Sequence, residues 1–246
     1  RVMAAGIALH DSGGYVFAGS EGVCIWRGPD DLTPIATHHE NEKLFFNDIL
    51  ADPRGRVYGG CCYWGADGME KLGKLYLIDT DGSMRIVDDG IELANGLGLS
   101  PDNRTLYFTD SAARRIYAYD VDADTGSLSN KRTLVEVPTI EGLPDGMTVD
   151  GEGFIWSAQW FGRQVVRYDP DGRVERRLQT PMYQTSSVAF GGDGLADLYI
   201  TTASESFETP LAPPGYDFHA PNIGGPLYRV RGDIPGKLEY IATIRA

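Results

Sequence analysis

Residues 51–60, ADPRGRVYGG, hold a tight turn and then a strand centred on an aromatic residue, and the pattern returns four more times. The other copies are LHDSGGYVFAG, LSPDNRTLYFTD, VDGEGFIWSA and FGGDGLADLYITT. Their aromatic anchors, Tyr15, Tyr58, Tyr107, Trp156 and Tyr199, lie 43 to 49 residues apart. A period near ~45 residues without helix-period stretches predicts a β-propeller, a radial array of small antiparallel sheets. Beyond each anchor, segments such as KLYLIDTDGSMRIV and VVRYDPDGRVERRL read as an outer hairpin around an Asp-Gly turn. Four strands per blade follow.

Residues in one phase of a repeat occupy equivalent places in a propeller. Eight residues before the turn positions Gly13, Gly55, Asn103, Gly153 and Gly194 stand Ala5, Asn47, Asn95, Asp145 and Ser186. Each precedes the apolar run of a first strand, whose leading end is expected at one mouth of the central channel. Asn47, Asn95 and Asp145 carry amide or carboxylate oxygens, which suit a hard divalent cation such as Ca²⁺. Asn95-Gly96 and Asp145-Gly146 are also ordinary turn pairs; their recurrence at a single phase favours a shared site.

With 31 glycines in 246 residues, short strands and frequent turns are expected throughout. No linker-like change in composition divides the chain, so residues 1–246 read as one β-propeller domain. The net charge of −13 repels phosphate backbones and anionic lipid, which excludes nucleic acid and membranes as expected partners and leaves a small-molecule substrate. Cys24, Cys61 and Cys62 form no disulfide framework and are expected as reduced, mostly buried thiols. No run reaches the ~18 apolar residues of a membrane helix, and the expected compartment is the cytoplasm. The oligomeric state is not legible.

Five first strands are visible, and Arg1 falls inside an apolar strand pattern. The simplest account is a propeller of six four-stranded blades whose first blade is largely missing from this chain. A five-bladed ring is the competing account.

The stretches FFNDILADPRGRVYGG, ANGLGLSPDNRTLYFTDS, DADTGSLSNKR, PDGMTVDGEGFIWSA and TSSVAFGGDGLADLYITTA together resemble the gluconolactonase, regucalcin (senescence marker protein) and luciferin-regenerating enzyme family. The resemblance implies a six-bladed propeller that hydrolyses sugar-acid lactones with one divalent metal, Ca²⁺ foremost, with Zn²⁺, Mg²⁺ or Mn²⁺ as alternatives. It implies that Asn95 and Asp145 are metal ligands and that Asn47 approaches the metal or the substrate. The family's remaining ligand, a glutamate in a Gly-Pro-Trp-like setting, has no counterpart here and is expected upstream of Arg1. Glu21 lies in the wrong phase to replace it.

Two departures bear on substrate. Phe45 stands where relatives that take polyhydroxylated lactones use arginine, and Tyr63 and Trp64 lie near the place of an acidic residue. With Trp160 and Phe161 after the fourth aromatic strand, these changes predict an aromatic pocket for a less polar lactone or ester; packing between blades is the alternative role for Phe45 and Trp64. Ser186 is expected to line the channel and to hydrogen-bond substrate. Asp145 is the candidate catalytic residue, a metal ligand that, by resemblance, also takes a proton from the attacking water.

Rival motifs are weaker. Asp120, Asp122, Asp124 and Gly126 approach a calcium loop, but its last ligand position is Lys131, so a hairpin turn is expected. The four histidines lack zinc spacing. Ser186 and Ser187 have no nucleophile elbow or registered histidine. Two other functions use the same fold: a binding scaffold with structural Ca²⁺, and a phosphotriesterase-like hydrolase.

Overall fold

The computed structural model describes residues 3–65, 68–205 and 208–246. Among them helix is limited to two 3-10 turns, Thr139–Glu141 and Asp193–Leu195. No helix among the described residues is long and apolar enough to cross a membrane. The rest is sheet and turn, and the architecture is an all-β propeller with five blade-like sheets. Spatial order follows chain order in each.

The first sheet runs Ala4–Leu9, Tyr15–Gly19, Gly22–Gly28, Asp31–Ala36, and the second Phe46–Ala51, Val57–Cys61, Gly73–Ile78, Met84–Ile91. The third runs Ala94–Leu99, Thr105–Asp110, Arg115–Val121, Leu128–Glu136, and the fourth Leu143–Val149, Ile155–Trp160, Gln164–Tyr168, Val174–Gln179. The fifth has three strands, Thr185–Gly191, Asp197–Thr202 and Tyr228–Arg231.

The turn quoted first explains why the strands pair as they do. Gly55 N–H donates to Asp52 O at 2.9 Å, while the Asp52 carboxylate accepts from the Arg54 and Arg56 amides at 2.8 and 3.0 Å. The fourth position needs a left-handed backbone, φ 81° at Gly55, and Asn103 meets the same demand at φ 61°. His10–Gly13 and Asp150–Gly153 close alike, at 3.1 Å each. The suspected calcium loop is a hairpin turn: Gly126 N–H donates to Asp122 O at 2.7 Å, and Arg56 binds the carbonyls of Ala123 and Asp124.

The chain divides into two compact units, Arg1–Asn95 with Asp122–Leu128 and Glu239–Ala246, and Gly96–Val121 with Ser129–Leu238. Alternation along the strands fills each interior, as expected where every second side chain faces one side. In the first unit Val16, Ala18 and Val23 of one sheet meet Phe46, Ile49 and Val57 of the next. In the second, Tyr107, Ile116 and Ala118 pack with Met147, Val149 and Val166, and Trp156 and Val165 pack with Val188 and Ile200. The three cysteines are free and buried, as expected.

Residues 239–246 join the first unit. Ala242 bridges His10 in parallel, Thr243 N–H donates to Gly55 O at 2.8 Å, and Arg245 N–H donates to Thr80 O at 3.0 Å. The reason is apolar: Ala242 and Ile244 are wholly buried in that unit's core. The first sheet also carries an open apolar face. Ile7, Leu9 and Tyr15 are 58%, 49% and 38% exposed, beside a ring ladder in which Trp26 stacks 5.3 Å from Phe17.

Candidate functional site

Asn47, Asn95 and Asp145 are half-buried positions of first strands whose apolar residues are buried. Asn47 is half-buried between buried Phe46 and the core residues Ile49 and Leu50. Asn95 is the one half-buried residue of Ala94–Leu99, Asp145 is that of Leu143–Val149, and Ser186 follows buried Thr185. The local cause is a break in register. Pairing shifts between Ala4 and Gly6, Phe46 and Asp48, Pro144 and Met147, and Thr185 and Ser187. A bulge inserts a residue and re-aims its side chain, so Asn47, Asp145 and Ser186 leave the alternation that buries their neighbours.

Within the first unit, Asn47 Nδ2 donates to Ala94 O at 2.7 Å. That bond ties Asn47 to the residue before Asn95 and fixes the amide so that its oxygen is the end left to accept. Phe45 precedes this strand, half-buried, and its carbonyl accepts from Cys62 N–H at 3.2 Å. Tyr63 and Trp64 lie on a short ribbon, Tyr63–Gly65 paired with Gly68–Lys71. Trp64 Nε1 donates to Glu92 O at 2.8 Å, and Lys71 Nζ lies 4.0 Å from the Tyr63 ring centroid and 2.5 Å from Glu42. The hydrogen-bonded Lys71 ammonium holds the Glu42 carboxyl below its usual range. Tyr63 thus carries the Lys71 ammonium over its ring.

Asp48 was missed from the sequence. Burial pushes its carboxyl up to about 7, against one opposing hydrogen bond from Ile49 N–H at 2.8 Å. Its phase partners in other strands are Gly6, Gly96, Gly146 and Ser187. A Cβ at Gly6 would meet Asp48 Cα at 3.0 Å. The available signal was a charged residue in a phase otherwise held by glycine and serine.

In the second unit the same crowding recurs. A Cβ at Gly96 would lie 2.4 Å from Met147 N and 2.7 Å from Asp145 O, and one at Gly146 would lie 2.3 Å from Ser187 Oγ. Ser186 Oγ shares a hydrogen bond with Thr201 Oγ1 at 2.8 Å. Trp160 pairs with Leu143, two residues before Asp145. Phe161, also expected near the mouth, is buried at φ 69°.

Among the described residues no three His, Cys, Asp or Glu side chains group as a ligand set. The expected donors are instead two amides and one carboxylate, all half-buried, with Asn47 and Asp145 at breaks in register. That chemistry fits a hard cation bound through oxygen.

Residues 2–204 match the model of the SMP-30/Gluconolactonase/LRE-like region. Over 200 residues the chain is 41% identical to pentonolactonase XacC of Haloferax volcanii, covering 81% of this chain and 67% of that one. It is 32% identical to regucalcin of Xenopus laevis, covering 92% and 76%. Among solved structures, a luciferin-regenerating enzyme superposes with a TM-score of 0.85 at 29% identity, covering 99% of this chain and 83% of that one. Regucalcin of Agrobacterium tumefaciens, described as a calcium-binding protein, gives 0.81 at 25% identity, covering 98% and 80%. The bulged first strands, the repeated turn and these matches agree: this chain belongs to the SMP-30/gluconolactonase/LRE-like family of β-propellers.

Proposed function

We propose that this protein is a lactonase that depends on one divalent cation, Ca²⁺ foremost, with Asn47, Asn95 and Asp145 as its oxygen ligands. The observation that carries this reading is their shared repeat phase, at accessible positions of otherwise buried strands. The family's lactonases support it, among them the pentonolactonase that is 41% identical.

A bound cation supplies Lewis acidity toward the lactone carbonyl and lowers the pKa of water. The chain's residues do the rest. Asn47, its Nδ2 committed to Ala94 O, presents its oxygen without adding charge. Asp145 contributes the single carboxylate of the set and is the candidate proton acceptor for the attacking water. Ser186, held by Thr201, positions the substrate by hydrogen bonding. Phe45, Trp64 and Trp160 make the surroundings less polar than a sugar-acid site. Both polyhydroxylated and less polar lactones belong in the first substrate panel.

The exposed Ile7, Leu9 and Tyr15 face supports one further part of the reading, a sixth blade packed against that sheet in the functional protein. The share of the luciferin-regenerating enzyme left unmatched is about one repeat long.

The test is acid release from lactones with and without chelator, in the wild type and Asp145→Ala. Turnover that is lost on chelation, restored by Ca²⁺ and absent in the variant supports the reading. Turnover indifferent to chelation removes the cation. Hydrolysis of phosphotriesters alone would point to phosphoryl chemistry, and tight Ca²⁺ binding without turnover to a scaffold.

A further inference from the structure

The long connection after Asp197–Thr202 is built as a strap of successive turns. Ala212 N–H donates to Thr209 O, Tyr216 N–H to Pro213 O, and Ala220 N–H to Asp217 O, at 3.1 to 3.3 Å. Its far end is tied down at 3.0 and 2.8 Å, where Tyr183 and Gln184 N–H donate to Asn222 O and Ile223 O. Those two residues lead directly into the strand that carries Ser186.

The strap delivers two rings into a cluster. Tyr216 lies 4.5 Å from Phe161, 5.4 Å from Tyr183 and 4.9 Å from Phe218, and Trp160 lies 6.1 Å from Phe161. At its centre, Phe161 adopts φ 69°, a conformation bulky residues rarely take. The turn holding it is wedged: a Cβ at Gly142 would meet Trp160 O at 2.5 Å, and one at Gly162 would meet Glu141 O at 2.5 Å. Arg114 fastens the strap to the same region, donating to Leu211 O at 2.8 Å and to Gly142 O.

Register places this cluster beside the candidate residues of the second unit. Trp160 pairs with Leu143, close to Asp145, and Tyr183 lies three residues before Ser186. Phe161 is buried, but Trp160, Tyr183, Tyr216 and Phe218 each keep part of their surface open. A packing cluster with four partly open rings at the ligand end of two strands is a ready apolar contact surface.

We propose that Tyr216 and Phe218 are specificity-determining residues whose rings, backed by Phe161 and Tyr183, contact a hydrocarbon substituent on the lactone ring. Arg114 is a positioning residue that holds the strap in place. The proposal rests on the lactonase reading and names its substrate class: lactones bearing an alkyl or aryl group, in preference to unsubstituted ones.

The test compares γ-butyrolactone with a γ-alkyl-γ-butyrolactone in wild type, Tyr216→Ala, Phe218→Ala and Tyr216→Phe, with circular dichroism to verify folding. Wild type is expected to prefer the alkyl lactone. In the alanine variants the preference, as a ratio of kcat/KM values, is expected to fall about tenfold, mainly through KM; Tyr216→Phe should restore it. Equal loss on both substrates, or no wild-type preference, overturns the proposal. Calorimetric binding of the matching γ-alkyl lactam separates the two readings. Binding weakened by Tyr216→Ala supports the strap even if no lactone is hydrolysed, and binding unchanged by it counts against the strap.

Discussion

Asn47 donates its side-chain amide N–H to the carbonyl of Ala94 at 2.7 Å, which fixes the orientation of this candidate ligand and leaves its oxygen free of that bond. Asn47→Asp makes this measurable. A carboxylate brings charge that a cation would welcome, but it cannot donate to Ala94 O and sets oxygen against oxygen. The variant is expected to lose about 1–3 kcal/mol of stability and about 100-fold in kcat, as displaced groups do. Chemical denaturation and lactone kinetics check both. A gain in activity would show that added charge outweighs orientation.

Gly146 tolerates no side chain without movement. Its Cβ would sit 2.3 Å from Ser187 Oγ and 2.9 Å from Ser186 O. The Ser187 hydroxyl can rotate away, but its Cβ at 2.6 Å and the Ser186 carbonyl cannot, so Gly146→Ala should destabilise by about 1–3 kcal/mol. Gly96→Ala should cost more, because its nearest atoms, Met147 N and Asp145 O, are both backbone. The order of the two unfolding midpoints is the readout.

Arg167 lies buried against Asp150, 2.7 Å away, with Glu152 at 2.7 Å and Glu175 at 3.2 Å, and Trp156 Nε1 also donates to Asp150. Arg167→Ala leaves Asp150 buried and unpaired, and about 3–5 kcal/mol of stability should go with it. Arg176→Ala, removing the exposed Arg176–Asp233 pair, should change the midpoint little.

Burial pushes the Cys62 thiol up to about 12 and raises Cys61 as well. The thiolate is the reactive form, so alkylation of the native protein should be slow at pH 8 and accelerate as pH rises toward 12. Mass spectrometry of iodoacetamide-treated native and unfolded protein checks this. Rapid labelling of native Cys62 at pH 7 would show that the site opens.

If Ca²⁺ binds only the folded state, free Ca²⁺ at 100 times its Kd should stabilise the protein by about 2.7 kcal/mol, and chelator should remove that gain. A melting temperature unmoved by Ca²⁺ would count against the proposed ligands.

The repeat was legible because turns and anchors depend on local chemistry. Asp52 caps its own turn, Gly55 and Asn103 supply left-handed backbone, and Tyr58 and Trp156 reach buried acceptors. The same phase identified Asn47, Asn95, Asp145 and Ser186. The bulges at Asn47, Asp145 and Ser186 were not legible, because a register slip depends on the partner strand. Asp48 was missed because desolvation, a tertiary property, is what distinguishes it. Tyr216 and Phe218 were hidden in a Pro- and Gly-rich connection, where neither alternation nor repeat phase assigns a side chain to a partner. The path of residues 239–246 into the first unit's core was not legible, because an apolar strand pattern does not reveal which core it enters.

That path has a consequence for synthesis. Residues 239–246 leave the ribosome only after all of Gly96–Leu238, yet they belong to the unit that holds Arg1–Asn95. His10, Gly55 and Thr80 therefore wait for Ile244, Thr243 and Arg245. The second unit has all its residues first, while the first emerges with a core seam still open to chaperones, proteases and other nascent chains. Its core closes only once residues 239–246 have emerged, however early its sheets form.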